Sequence, residues 1–233
     1  HDLPGSVDLS SLLEAVHDIS EIDRIRFLTS HPNDMSNQII EAVSKLDRVC
    51  EHINLPFQAG DDEVLSRMRR GYTRDQYLKL IDKIRDTIPN VSLATDVIVG
   101  FCGETDRQFE RTLDLLKSVK FDKVHSAAYS TRIGTIADRK FEDNLSLSEK
   151  KDRLSALDSI QKEIQTKINS NLLGETTEIL VEGKKNGKMF GRNRNDKIVY
   201  LENELNNGSL LGTLKNVKIT KTGPWSLTAS LNN

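Results

Sequence analysis

Four clusters of polar side chains, each just after an apolar run, are where this chain could do chemistry. They are Thr29-Ser30-His31, Gln58 within Pro56-Phe57-Gln58-Ala59-Gly60, Asp96 with the turn Gly100-Phe101-Cys102-Gly103-Glu104, and Tyr129-Ser130-Thr131-Arg132. Hydroxyls, an amide, a carboxylate and a guanidinium together suit a polar nucleoside with a charged tail. A Gly-x-x-Gly turn between a β-branched run and a helix start is how an α/β fold offers backbone N–H groups to a ligand. The same glycines also serve tight βα connections that bind nothing. No nucleophile–base pair stands out, and H-E-x-x-H and C-x-x-C spacings are absent, so no catalytic or metal-ligating residue is assigned. Cys50 reads as a small buried hydrophobe and Cys102 as a passive member of the glycine turn. His31 before Pro32 reads as a helix-entry residue or an acid/base. Arg67-Met68-Arg69-Arg70 could meet a phosphate or merely complement a helix C-terminus; both readings stay open.

The elements that must hold these clusters alternate. Asp8 or Ser10 can cap a helix with Leu9, Leu12, Leu13, Val16 and Ile19 on one side. A strand over 22–30 follows, then a helix capped by Ser36, then a strand over 49–55 that stops at Pro56. Helical segments at 63–70 and 77–87, a strand at 91–99, a helix at 104–119 and a strand at 123–130 complete the pattern. This is the βα rhythm of a parallel sheet, and four strands are too few for a closed barrel. Ser148 caps a long helix to about Asn171, with Leu154, Leu157, Ile160, Ile164 and Ile168 on its stripe. Beyond Gly174 the period changes to two, and five short strands punctuated by glycine describe a small antiparallel barrel of OB type. Two domains are expected, 1–168 and 169–233.

With 36% apolar and 29% charged residues over 233, the chain has an ordinary globular composition. It has no apolar run of membrane-spanning length and no signal peptide. Two cysteines fit a reducing, cytoplasmic compartment. The opening His1-Asp2-Leu3-Pro4-Gly5 reads as the interior of a longer protein. Net charge is −2, yet residues 172–233 hold nine Lys/Arg against six Asp/Glu. Lys184, Lys185, Lys188, Arg192 and Arg194 sit in what read as two adjacent hairpin loops, the arrangement of an RNA-binding barrel; a solvated basic face is the plainer alternative. Aromatics are sparse there (Phe190, Tyr200, Trp225), so phosphate electrostatics should outweigh base stacking.

Five ordered motifs resemble those of one family. They are Ser30-His31-Pro32-Asn33-Asp34-Met35, Leu55-Pro56-Phe57-Gln58-Ala59-Gly60, Met68-Arg69-Arg70-Gly71-Tyr72-Thr73, the stretch from Thr95 to Thr105, and Tyr129-Ser130-Thr131-Arg132-Ile133-Gly134-Thr135. They look like the radical S-adenosylmethionine (SAM) methylthiotransferases of the MiaB type, and the tail is similar to their closing TRAM domain. The resemblance implies a partial βα-barrel, TIM-like, holding the last four strands, followed by an OB-like TRAM barrel. It implies insertion of a methylthio group at carbon 2 of an isopentenylated adenosine beside the tRNA anticodon. It places Gln58, Asp96, Gly100, Gly103 and Glu104 near SAM, and Arg132 near SAM or RNA. Partners implied are tRNA, SAM and an electron donor such as flavodoxin or ferredoxin, with no membrane. Two 4Fe-4S clusters are implied for the intact protein, their ligands outside this chain: the C-x-x-x-C-x-x-C loop has no match here, so the chain alone is expected to be inactive. Cys102, Thr131 and Ile133 replace prolines usual in the family, which loosens two loops. Alternatives are a sister enzyme acting on threonylcarbamoyladenosine or a ribosomal-protein aspartate, or a non-catalytic RNA-binding remnant.

Overall fold

The computed structural model describes residues 8–28, 31–202 and 210–231. The chain forms two compact units, His1–Gln161 and Lys162–Asn233.

In the first unit α1 (Leu9–His17) starts where Asp8 accepts from Ser11 N–H at 2.9 Å, and α2 (Asn37–Lys45) starts at Ser36. The expected strand over 22–30 is reduced to one parallel bridge, Ile25 to Val49. Its side chains fit a packed loop better than a strand: Ile25 is buried between Arg24 and Arg26, Ile22 and Phe27 pack partly against the core, and Leu28 is 90% exposed. Thr29 and Ser30, the first of the polar clusters, lie outside the described residues.

The sheet itself is β1 (His52–Asn54), β2 (Ser92–Val99) and β3 (Lys123–Ala128), all parallel and in that order. Pro56 has no N–H, so the ladder from β1 breaks there and resumes at Gln58, which bridges Val97. Carbonyls left over at the break are taken by hydroxyls. Tyr77 donates to Leu55 O at 2.8 Å, Tyr72 to Pro56 O and Phe57 O at 3.1 Å, and Thr95 to Leu55 O at 2.9 Å. Burial raises the Tyr72 phenol to about 12 and Tyr77 well above its usual value, so both remain donors.

The crossovers are α3 (Asp62–Arg67), α4 (Arg74–Thr87) and α5 (Asp106–Val119). Thr73 with Gln76, and Thr105 with Gln108, form reciprocal capping boxes on the latter two. Helix α3 ends earlier than its pattern suggests. Arg69 N–H donates to Ser66 O and Arg70 N–H to Leu65 O, both at 3.0 Å, and Arg69 takes φ 58°. This is a Schellman turn with arginine in the left-handed position that glycine usually fills.

Short α6 (Ile136–Lys140) precedes α7 (Leu147–Ser170), which begins in the first unit and ends in the second. Ser146, not Ser148, caps α7: Glu149 N–H donates to Ser146 Oγ, and Ser146 N–H returns a bond to Glu149 Oε2 at 2.8 Å. Its buried face is also not the expected one. Lys150, Arg153, Leu157, Gln161, Gln165 and Asn169 are buried, while Leu154, Ile160, Ile164 and Ile168 are only partly covered. The helix docks through polar groups as well as through Leu157 and Leu154, with Gln161 donating to Phe121 O at 3.0 Å.

The second unit is a closed barrel of β4 (Thr176–Lys185), β5 (Lys188–Asn193), β6 (Ile198–Leu201), β7 (Leu214–Thr222) and β8 (Leu227–Leu231). Strand order β4-β5-β6-β8-β7 closes back on β4, with β6 and β8 parallel and every other pair antiparallel. That is the OB-like topology. Asn186 and Gly187 make the two-residue β4–β5 turn with φ 51° and 79°. The basic stretch expected to be two loops is therefore mostly strand: Lys184 and Lys185 end β4, Lys188 begins β5, and Arg192 lies within it.

Candidate functional site

Parallel strands present their carboxyl ends on one edge, and ligands of α/β folds bind there. Two adjoining clefts open at this edge. One, of about 410 Å³, is lined by Gln58, Ile98, Tyr129, Ser130, Arg132 and Arg70, among others. The other, of about 490 Å³, is lined by Arg67, Met68, Arg69, Arg70, Phe101 and Arg139, among others. They share Arg70, Ile98, Tyr129, Thr135 and Ala137, and no Asp or Glu lines either.

Gln58 and Arg132 thus meet at one cleft. Gln58 is held by its backbone: its N–H donates to Asp96 O at 3.0 Å and its carbonyl accepts from Ile98 N–H at 2.9 Å, at φ 66°. Asp96 lies one pleat back on the Ile98 face of β2, near Asn54 Nδ2 at 3.5 Å, and does not line the clefts. His31 accepts from Asn33 N–H at 3.3 Å and meets the Tyr72 ring edge-on at 5.5 Å, while Asn33 Nδ2 donates to Gly71 O. The first and third sequence motifs are therefore joined.

The glycine turn is built from inside the chain. Gly100 N–H donates to Glu104 Oε2 at 2.6 Å, and Gly103 N–H to Asn144 Oδ1 at 2.8 Å. Both expected anion-facing donors therefore have internal partners, and the turn offers the cleft its Phe101 ring instead. Gly100 and Gly103 sit at φ 71° and 69°. A Cβ on Gly100 would lie 2.5 Å from Lys150 Cγ, and one on Gly103 2.9 Å from Arg67 Nη1. Glu104 is 3% exposed, so its carboxylate faces inward rather than the cleft. Arg153 donates to it at 2.8 Å, to its carbonyl at 3.0 Å, and to Asp106 at 2.8 Å. Burial pushes the Glu104 pKa up, opposed by the Gly100 N–H and Arg153. Lys150, 2% exposed, binds Asp143 at 2.6 Å and Tyr129 O at 3.2 Å. Arg67 donates to Cys102 O at 2.5 Å.

Sequence reasoning missed Lys150 and Arg153, because charges on a long helix ordinarily mark its solvated face. It left Arg69 and Arg70 undecided. Cys50 and Cys102 are both free and buried, and no group of three His, Cys, Asp or Glu among the described residues could hold a metal. In the barrel, Arg192 pairs with Glu182 and lies 3.4 Å from Asp196. Phe190 and Tyr200 face each other across β5 and β6, their centroids 6.0 Å apart.

Residues 4–116 match the Radical SAM superfamily and residues 171–231 the TRAM domain. The chain is 47% identical to a tRNA-2-methylthio-N(6)-dimethylallyladenosine synthase of Herpetosiphon aurantiacus, over 99% of this chain and 53% of that protein. It is 50% identical to one from Roseiflexus over 97% and 48%, and 46% identical to one from Dehalococcoides mccartyi over 100% and 55%. It spans about half the length of these relatives. Among solved structures, coproporphyrinogen III oxidase (HemN) of Escherichia coli, described as a radical SAM enzyme, aligns with TM-score 0.52 at 12% identity. That alignment covers 85% of this chain and 46% of HemN, and it bears on the fold alone. With a radical SAM sheet, a closed TRAM barrel and this identity along its whole length, the chain belongs to the radical SAM methylthiotransferase family of the MiaB type.

Proposed function

We propose that the chain is the SAM-facing part of a tRNA methylthiotransferase together with its RNA-binding barrel. The full-length enzyme would insert a methylthio group at carbon 2 of N6-dimethylallyl (isopentenyl) adenosine beside the anticodon. The observation carrying this is 46–50% identity over nearly the whole chain to enzymes bearing that name.

The smaller strand-end cleft supports the SAM reading. Its volume, about 410 Å³, falls in the roughly 300–1,000 Å³ range of small-molecule sites. Gln58 and Arg132 supply an amide and a cation to one cleft, and Ile98 and Tyr129 supply apolar surface for a purine. Asp96, beside this face, is the proposed partner of ribose hydroxyls. Gly100, Gly103 and Glu104 act by fixing the turn that presents Phe101. When bound, SAM supplies a methyl group in one use and, on reductive cleavage, a hydrogen-abstracting radical in another. This chain's residues bind and orient it.

The described residues do not fit an iron–sulfur cluster, since they offer two buried cysteines and no metal-ligand grouping. The ligands of two 4Fe-4S clusters are therefore proposed to lie elsewhere in the full-length protein, and this chain by itself is expected not to cleave SAM. A flavodoxin- or ferredoxin-like donor and a cytoplasmic setting complete the reading. No helix among the described residues is long and apolar enough to cross a membrane.

On the RNA side, Lys184, Lys185, Lys188 and Arg194 are proposed to face phosphates, with Arg192 partly neutralised by Glu182 and Asp196. The functional domain border is proposed at 168/169, where Asn169 donates to Gly223 O and Pro224 O. Mass spectrometry of tRNA nucleosides from a strain lacking the full-length gene tests the assignment. The methylthio group should vanish, leaving N6-isopentenyladenosine without it to accumulate. Loss from threonylcarbamoyladenosine instead would identify a sister enzyme, and an unchanged profile would overturn the reading.

A further inference from the structure

We propose that the arginine-walled cleft between the turn after α3 and helix α6 seats an RNA phosphodiester adjacent to the reacting nucleoside, gripped by Arg70 with Arg69 and Arg139. The proposal rests on the tRNA reading above and adds an RNA contact on the sheet-bearing unit, apart from the basic barrel.

Charge is the first argument. Arg67, Arg69, Arg70 and Arg139 line the larger cleft, Arg70 and Arg132 the adjoining one, and no carboxylate lines either. Arg67 is committed to Cys102 O and Gln108. Among the described residues, Arg69, Arg70 and Arg132 make no side-chain hydrogen bond or ion pair, and Arg139 makes only a long contact, 3.4 Å, to Thr135 O. Cations crowded into a concavity with low-dielectric walls repel one another and focus a positive field outward.

Arg70 is the second argument. It lines both clefts, and its Nε is buried with no hydrogen-bond partner. Buried donors ordinarily have partners, and this one belongs to a planar fork that matches phosphate oxygens two at a time.

The backbone agrees. A Schellman turn ends α3 and carries Arg69 and Arg70 off the helix axis, with arginine accepted in a left-handed conformation that favours glycine. Helix-dipole complementarity explains little, because α3 has only six residues.

The ligand class follows from its own charge. SAM carries a sulfonium and an ammonium against one carboxylate, so the four arginines of the larger cleft would repel it overall. A polynucleotide brings a negative charge at every step and a base that can lie on Phe101 and Ile136, which line the larger cleft only.

The test measures binding by the intact chain of an RNA hairpin carrying isopentenyladenosine in its loop, across a salt titration. Arg70→Ala and Arg139→Ala should each weaken it roughly 10-fold or more. Each should also flatten the log K against log salt slope by about 1. Arg70→Lys should restore the slope but not the full affinity. Neutralising the adjacent phosphodiester as a methylphosphonate should reproduce the loss with wild-type protein and add nothing in Arg70→Ala. This arm needs no variant to fold. In Arg139→Ala, whose residue lines only the larger cleft, SAM affinity read by equilibrium dialysis should be unchanged. If Arg70→Ala abolishes SAM binding and leaves RNA binding intact, the cleft holds the SAM carboxylate and the proposal is overturned. RNA binding insensitive to both the arginines and the methylphosphonate overturns it too, while leaving the tRNA reading standing if barrel variants still weaken binding. No RNA binding by the wild-type chain removes both.

Discussion

Arg153→Met would leave the Glu104 carboxylate buried beside Gly100 with its counter-charge gone. Removing one partner of a buried pair costs about 3–5 kcal/mol, and here the retained partner also holds the glycine turn. Burial already raises the folded-state pKa of Glu104 above its ordinary value of 4.5. For such a group the folded state binds the proton more tightly. Its contribution is therefore complete below pH 4.5 and lost as pH rises through the folded pKa. The variant should widen that window, so its deficit relative to wild type should shrink on going from pH 7 toward pH 4. Urea unfolding at several pH values reads this out. A deficit independent of pH would show that Arg153 acts through Asp106 and Phe109 instead. Gly100→Ala is a second test of the same turn: a non-glycine residue at φ 71° costs about 1–2 kcal/mol. The new Cβ would also meet Lys150 2.5 Å away and disturb its bond to Asp143. The variant should lower both the melting temperature and SAM affinity, and loss of stability without loss of SAM affinity would place the turn outside the SAM site.

At the scale of elements, caps and tethers matter unequally. Thr105→Ala removes an exposed cap on α5 and should cost about 1 kcal/mol. Thr112→Val, in the middle of the same helix, should cost more, about 1–3 kcal/mol, because Thr112 Oγ1 accepts from the buried Gly60 N–H at 2.9 Å. Chemical denaturation of the two variants compares them, and equal losses would mean that Gly60 finds another partner. The contrast also explains what sequence could reveal. Capping at Thr105, the break at Pro56 and the period-two barrel strands are local, so residue order displays them. Gly60 to Thr112, Gly103 to Asn144 and Glu104 to Arg153 join residues more than forty positions apart, and nothing in their local spacing marks them. Helix α7 misled for a related reason. Its leucines and isoleucines follow helical period, yet Lys150, Arg153 and Gln161 are the ones that reach distant backbone and carboxylate partners. Of the strand expected at 22–30, the described residues form only the Ile25–Val49 bridge, because apolar and charged residues there do not alternate in a way that buries one face of a strand.

Across the whole molecule the two units present cations in different ways. On the sheet-bearing unit, arginines crowd a concave edge; on the barrel, lysines cluster at one hairpin. Lys185 and Lys188 lie directly opposite each other where β4 turns into β5. Like charges so placed are unfavourable in the free protein, and a phosphate between them would relieve the repulsion. Arg192, by contrast, already has Glu182 and Asp196 as partners. Alanine at Lys185 and Lys188 together should therefore flatten the RNA-binding salt slope by about 1.4 to 1.8, one charge each at roughly 0.7–0.9 per phosphate. Adding Arg192→Ala should change the slope by clearly less than one further step, because a guanidinium already neutralised by carboxylates displaces few counterions from the RNA. A third step as large as the others would mean that Arg192 exchanges Glu182 for phosphate on binding, and that the barrel rearranges its own ion pairs to receive RNA.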